Sequence, residues 1–217
     1  MNAEEIRNKT KKKLRKIGIE LPSSNVPPLI DNIVEKKIRC SEEVYGRSMA
    51  LFSIICVALS ETKKIKLESI EVVNKWLERY GLFDFLTLPE KDLLKRNVGN
   101  CDKFISEVES LTALMWSMSL YDMKSIDYVG DDFGEIFPNI LKNTNPFTIN
   151  NEIKTRPNIE LLSMLDYYFC IHWKIVESSI SGKPLKLPVD SYVIVKRRLA
   201  LEWILYGEDW EDISLDT

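Results

Sequence analysis

The sequence predicts an all-α protein. Apolar residues recur at the three- and four-residue spacing of a helix in segment after segment, and no stretch alternates with the period of a strand. β-Branched residues fall mostly inside those helical periodicities, and Gly or Pro stands where the periodicities stop. We expect a single globular domain of about seven or eight helices around one central apolar helix, Leu161–Val176. Residues 1–20 should form a basic helical arm and residues 21–217 the helical domain.

The central segment has the widest apolar face. At about 100° per residue, Leu161, Leu165, Tyr168, His172, Ile175 and Val176 share one side, with Leu162, Phe169 and Trp173 close beside them. Ser163, Cys170, Lys174 and Glu177 take the other. A face so broad and aromatic calls for several covering helices.

From the start, Ala3 to Ile17 reads as a basic helix stopped by Gly18. The connector from Leu21 to Pro28 is too rich in Pro and Ser for regular structure, so the arm either moves freely or packs back on the body. Ser41 is placed to cap a helix whose first turn carries Glu42 and Glu43, and Val44 to Leu59 is apolar on nearly every side. Lys66 to Tyr80 repeats the helical pattern, with Leu67, Ile70, Val73 and Leu77 inward and Gly81 as its stop. Thr87 and Glu90 have capping-box spacing, with Pro89 in the first turn, and predict a short helix to Arg96. Asn100 is placed to cap a helix running through Phe104, Val108, Leu111 and Met115 to Leu120. From Tyr121 to Arg156 the pattern dissolves, leaving at most a short helix over Phe133 to Leu141. Ser181-Gly182-Lys183-Pro184 then breaks the chain, and Val189 to Tyr206 is the last long helix, closed by Gly207.

Composition bounds the function. The 217 residues are 45% hydrophobic and 29% charged, enough to bury a sizeable core, and the net charge of −3 selects no partner. The charge is uneven. Arg7, Lys9, Lys11, Lys12, Lys13, Arg15 and Lys16 crowd the beginning, while Glu208, Asp209, Glu211, Asp212 and Asp216 crowd the end, so the two termini should attract each other. The first residues lack the apolar core of a secretory signal, and no uninterrupted apolar run approaches the length of a spanning helix. Cys40, Cys56, Cys101 and Cys170 are scattered without a C-x-x-C pair, which fits free thiols in a reducing cytoplasm. A single histidine and unclustered thiols provide no metal site, and no motif calls for a cofactor. Gly130-Asp131-Asp132-Phe133-Gly134 is neither a phosphate loop nor a calcium loop.

Several stretches carry a family resemblance: Arg7 to Ile19 with Leu21-Pro22; Ser41 to Val44 with Arg47-Ser48-Met49-Ala50-Leu51; and Glu109 to Trp116. Stronger still are Leu165-Asp166-Tyr167-Tyr168 with His172-Trp173, and Arg197 to Leu201 with Trp203 and Asp209-Trp210. Over its whole length the chain resembles an uncharacterised bacterial family known as domain of unknown function 4272. Where that family often carries a Trp-Arg pair before the acid matching Glu109, this chain has Ser106-Glu107. The resemblance supports the fold class over the full chain and implies no particular activity.

Four of the matching residues are charged or titratable groups on apolar faces: Arg47, Glu109, His172 and Arg197. Burying any of them alone costs several kcal/mol, so we expect them to converge and pair. Such a cluster serves either as a structural ion-pair network or as a pocket for an anionic or zwitterionic small molecule. Asp166 lies about 120° round the helix from His172 and makes no acid–base pair with it. Cys170 faces the polar side, away from His172. Trp116, Trp173 and Trp203 should be buried, and Trp210, among acids, less so. The function class favoured is a non-catalytic protein-interaction or regulatory protein, with a protein partner and no membrane. The alternatives are a small-molecule binder or enzyme built on the polar cluster, and weak nucleic-acid binding through the basic helix. The last is disfavoured by the missing aromatics on that helix and by the acidic tail.

Overall fold

The computed structural model describes residues 2–21, 26–27, 38–62, 70–95, 101–123, 136–148, 153–183, 185–188 and 190–216. The chain is all-helical: among the described residues there are eight α-helices and no strand. These residues gather into two compact units. Unit 1 takes the chain up to Arg39 and again from Arg156, and unit 2 takes the described residues between.

In unit 1, α1 (Ala3–Lys16) and α8 (Ser191–Tyr206) both pack on α7 (Asn158–Ile180), which makes the expected central helix the axis of this unit. Asn2 caps α1 by accepting from the Glu5 N–H, and Glu5 reaches back to the Asn2 N–H. Glu4 and Glu5 stand at the positive end of the helix dipole, with Lys13, Arg15 and Lys16 at the negative end. Ile6, Thr10 and Leu14 form its buried face, so the first helix is built into unit 1 and not detached from it. Gly18 (φ +77°) and Gly207 (φ +70°) adopt the left-handed conformation that closes α1 and α8, as their positions predict.

The buried arc of α7 is wider than its apolar stripe. Cys170 is fully buried beside Asp166, on the side the sequence marks as polar, because α1 covers that side and brings Arg7 to the carboxylate. Trp173, expected in the core, is only half-buried.

Unit 2 is centred on α2 (Ser41–Glu61), against which α3 (Ile70–Arg79), α4 (Leu88–Leu94), α5 (Cys101–Ile105), α6 (Val108–Ser117) and a 3-10 turn at Phe83–Phe85 all pack. By length and composition α2 is apolar enough to cross a membrane, yet 72% of that apolar window is buried inside the protein. Its N-cap is Cys40, one residue before the serine the sequence favours, since Glu43 bonds the Cys40 N–H. Gly46 lets the Phe85 ring lie directly on the α2 backbone: a Cβ there would sit 2.4 Å from a ring carbon.

The Thr87–Glu90 capping box is present as read. Two expected helices change. The single helix expected from Asn100 to Leu120 is two, α5 and α6, parted where the Ser106 hydroxyl donates to the Lys103 carbonyl. From residue 136 onward the helix expected at Phe133–Leu141 is turns, with residues 133–135 outside the described residues. Trp76, not singled out from the sequence, is among the most buried side chains and donates its indole N–H to the Thr144 carbonyl at 2.9 Å. The starts expected at Lys66 and Val189, the Asn100 cap and the Gly130–Gly134 loop also lie outside the described residues.

Candidate functional site

The polar chemistry of unit 1 lies along α7. On the side facing α1, the Arg7 Nε donates to Asp166 Oδ1 at 2.8 Å, and its Nη2 stands 2.8 Å from the same oxygen. Arg7 also donates to the carbonyls of Val26 and Pro27, so the described part of the Pro/Ser-rich connector is drawn onto α1. The Cys170 thiol, one turn beyond Asp166, lies 3.9 Å from the same carboxylate oxygen. Burial first, and the negative charge of Asp166 second, push that thiol up to about 12. Asp166 is fully buried, and its Oδ2 takes no hydrogen bond.

On the side facing α8, Tyr168 and His172 meet two consecutive arginines. Arg197 Nη1 donates to the Tyr168 hydroxyl at 3.0 Å, and its guanidinium lies 5.9 Å from the centre of the Tyr168 ring. Arg198 is the larger hub. Its Nε donates to Glu202 Oε1 at 2.6 Å, and its Nη1 lies 2.7 Å from His172 Nδ1. The Leu215 and Asp216 carbonyls accept from Nη1 and Nη2 at 3.1 Å each, and the guanidinium stacks 4.7 Å over Phe169. One buried cation thus ties α7, α8 and the C-terminal segment together.

An arginine cannot accept a proton bond, so the Arg198 contact fixes the histidine tautomer: Nδ1 is the acceptor and Nε2 carries the hydrogen. Desolvation, reinforced by the neighbouring Arg198 charge, lowers the His172 pKa to about 4. Burial raises the Glu202 carboxyl above its usual range against the opposing pull of Arg198.

Arg39, which no sequence pattern singles out, closes α8 from beyond its end. Its backbone N–H donates to the Ile204 carbonyl, its Nε to Trp203 and its Nη2 to Glu208, while its guanidinium lies 4.2 Å from the centre of the Trp203 ring. Arg39 thereby bonds two carbonyls in the last turn of α8, with its positive charge at the negative end of the dipole. Trp203 is buried and meets the half-buried Trp210 edge-on at 5.4 Å, as the two sequence contexts predict.

Unit 2 holds the other two sequence candidates. Arg47 is 2% exposed and grips Glu90, 3% exposed, through two bonds of 2.7 and 2.8 Å, with a third to the Phe85 carbonyl at 3.0 Å. The same Glu90 accepts from the Thr87 N–H, so the capping carboxylate is also the arginine's partner. Glu109 is fully buried in the first turn of α6, where Ser110 donates to Glu107 at 2.7 Å. Trp116 is buried. Arg47 and Glu109 therefore belong to unit 2, and His172 and Arg197 to unit 1. Within unit 1, His172 bonds Arg198 while Arg197 bonds Tyr168, two adjoining parts of one seam.

Two of the four thiols, Cys56 and Cys170, are poorly placed for nucleophilic work. Burial pushes Cys56 up to about 12, as it does Cys170, and all four cysteines are free. Among the described residues no three of His, Cys, Asp and Glu gather in a way that could hold a metal ion.

Neither the curated proteins nor the solved structures contain a match to this chain. A family model does match it, over residues 6–213, a span that includes both units and every side chain named above except those of its outermost ends. The chain belongs to the family described as a domain of unknown function, DUF4272.

Proposed function

We propose that the protein works by binding a protein partner and not by catalysis, in the cytoplasm of a bacterium. The observation that carries this reading is the state of His172. A general base needs a free imidazole lone pair, and Arg198 occupies the one at Nδ1 while Nε2 carries its hydrogen. A general acid at neutral pH needs a pKa near 7, and His172 titrates near 4. Cys56 and Cys170, raised to about 12, supply no thiolate to replace it. The ion pairs Arg7–Asp166 and Arg47–Glu90 use their charges to hold one helix to another, and Arg198–Glu202 lies within α8. Four free cysteines suit a reducing compartment.

The alternative, a small molecule held by buried polar groups, makes a different prediction. A panel of nucleotides, amino acids and phosphorylated metabolites should leave the melting temperature of the protein unchanged, while crosslinking in cells captures the same protein partner at low and high salt. A metabolite that raises the melting temperature in the native chain, and loses that effect in Glu109→Gln with the apo fold intact, would sink the interaction reading.

A further inference from the structure

The two termini, expected to attract each other, form no ion pair with one another among the described residues. Lys9, Lys12, Lys13, Arg15 and Lys16 are exposed on α1, and none of them holds an ion pair among the described residues. At the opposite end of the sequence, Asp209, Glu211 and Asp212 are likewise exposed and without an ion pair among the described residues, gathered by a turn in which the Asp212 N–H bonds the Asp209 carbonyl. The tail is held instead by Arg198, Arg39 and Trp203, which take its backbone and its tryptophan and leave its carboxylates facing outward. Both clusters belong to unit 1, so a single copy presents a basic and an acidic surface, both unsatisfied.

On α1 the cations form a stripe. Lys9, Lys12, Lys13 and Lys16 fall within about 100° of one another and span about 10 Å along the axis. The adjoining face, with Ile6, Thr10 and Leu14, is buried, so α1 has no apolar side to place in a lipid surface. The stripe carries no aromatic on which a base would stack, and the acidic turn in the same unit would repel a long polyanion. A second copy of the chain meets both requirements at once, because it brings an acidic turn to the stripe and a stripe to the acidic turn.

Resting on the non-catalytic reading above, we propose that the outer face of α1 receives the Asp209–Asp212 turn of a second copy, reciprocally, in a salt-sensitive dimer. A reciprocal contact closes on itself and stops at two chains. Its affinity is modest, since exposed pairs are individually weak, and screening at high ionic strength removes it.

Sedimentation of the full-length chain tests this. In about 20 mM salt the mass should rise with concentration from 25.2 kDa toward twice that value, and in about 0.5 M salt association should weaken at least about tenfold. The quadruple reversal Lys9→Glu, Lys12→Glu, Lys13→Glu, Lys16→Glu should be monomeric, as should the triple reversal Asp209→Lys, Glu211→Lys, Asp212→Lys. Mixed together, they should form a one-to-one heterodimer, because each restores both contacts of the other. Circular dichroism and melting establish that both variants are folded. Folded variants that stay monomeric on mixing overturn the proposal, as does a wild-type chain that stays monomeric at low salt, whether or not it binds a single-stranded oligonucleotide or anionic vesicles. None of these results bears on the His172 argument, which stands or falls on the metabolite panel.

Discussion

The two units bury arginine in opposite ways. In unit 2, Arg47 and Glu90 form a closed pair, both almost inaccessible, with the guanidinium completed by one backbone carbonyl and braced by the Gly46–Phe85 contact. In unit 1, Arg7 and Arg198 sit in open networks whose acceptors include loop and tail carbonyls, and the Arg198 network reaches the surface through the half-buried His172. When Glu90 is lost, the Arg47 guanidinium gives up both of its carboxylate bonds while the Phe85 carbonyl stays in place. An open network can redistribute its bonds, so equal substitutions should have unequal costs in the two units.

The largest effect should therefore come from unit 2. Glu90→Ala removes both bonds to Arg47 and the capping interaction with Thr87, and leaves a dry guanidinium without that carboxylate. We expect a loss of about 3–5 kcal/mol, the range for one partner of a buried pair. Replacing both residues, Arg47→Met with Glu90→Leu, should recover much of that loss in urea unfolding. A single substitution costing less than about 1 kcal/mol would mean that the pair behaves like an exposed one, and the contrast between the units would fail.

Next comes Asp166 in unit 1. Asp166→Ala leaves Arg7, 11% exposed, with the Val26 and Pro27 carbonyls, so the expected loss is smaller, about 1.5–3 kcal/mol. Asp166→Asn should cost less still, because the amide oxygen can take the place of Oδ1 and the nitrogen that of the oxygen that takes no hydrogen bond. If Asn is as damaging as Ala, the charge and not the hydrogen bond holds α1 on α7.

What the sequence made legible was the local part of this architecture. Gly18, Gly207 and the Thr87–Glu90 box act within a few residues of themselves, and each appears where the pattern puts it. The partner of a buried charge is not local. Glu90 could be read as a cap because its target is three residues away, but not as the mate of Arg47, 43 residues away. Cys170 and Asp166 share a face one turn apart, and two polar residues make that face look solvated until Arg7 arrives from another helix. Arg197 and Arg198 show the same limit. Periodicity selects Arg197, which sits with Val193, Leu201 and Ile204 on the apolar stripe. Arg198 becomes the hub only because the tail folds back over its side of α8. Burial of a charged residue therefore follows from what covers it, and helical period sees only the residue's own element.

The smallest effect, and the one that probes the open network most directly, is the pH dependence contributed by His172. Its folded pKa of about 4 lies below the ordinary 6.5, so as pH falls the unfolded chain takes up the proton first. Stability from this group is therefore fully present above about pH 6.5 and is lost as pH falls toward 4. At face value the shift is worth about 3 kcal/mol; partial exposure and solvent screening reduce it to about 1–2 kcal/mol. Glu202 acts in the opposite sense, because a raised carboxyl pKa adds stability as the medium becomes acidic, so the wild-type profile alone mixes the two. His172→Asn separates them: its amide oxygen can accept from Arg198 as Nδ1 does, but it does not titrate. Urea unfolding of both chains between pH 4.5 and 7 should give curves that coincide near neutrality and diverge by about 1–2 kcal/mol toward the acid end, with the wild type losing more. Parallel curves would mean that protonating His172 costs the fold nothing, and hence that its bond to Arg198 does not hold the seam between α7 and α8.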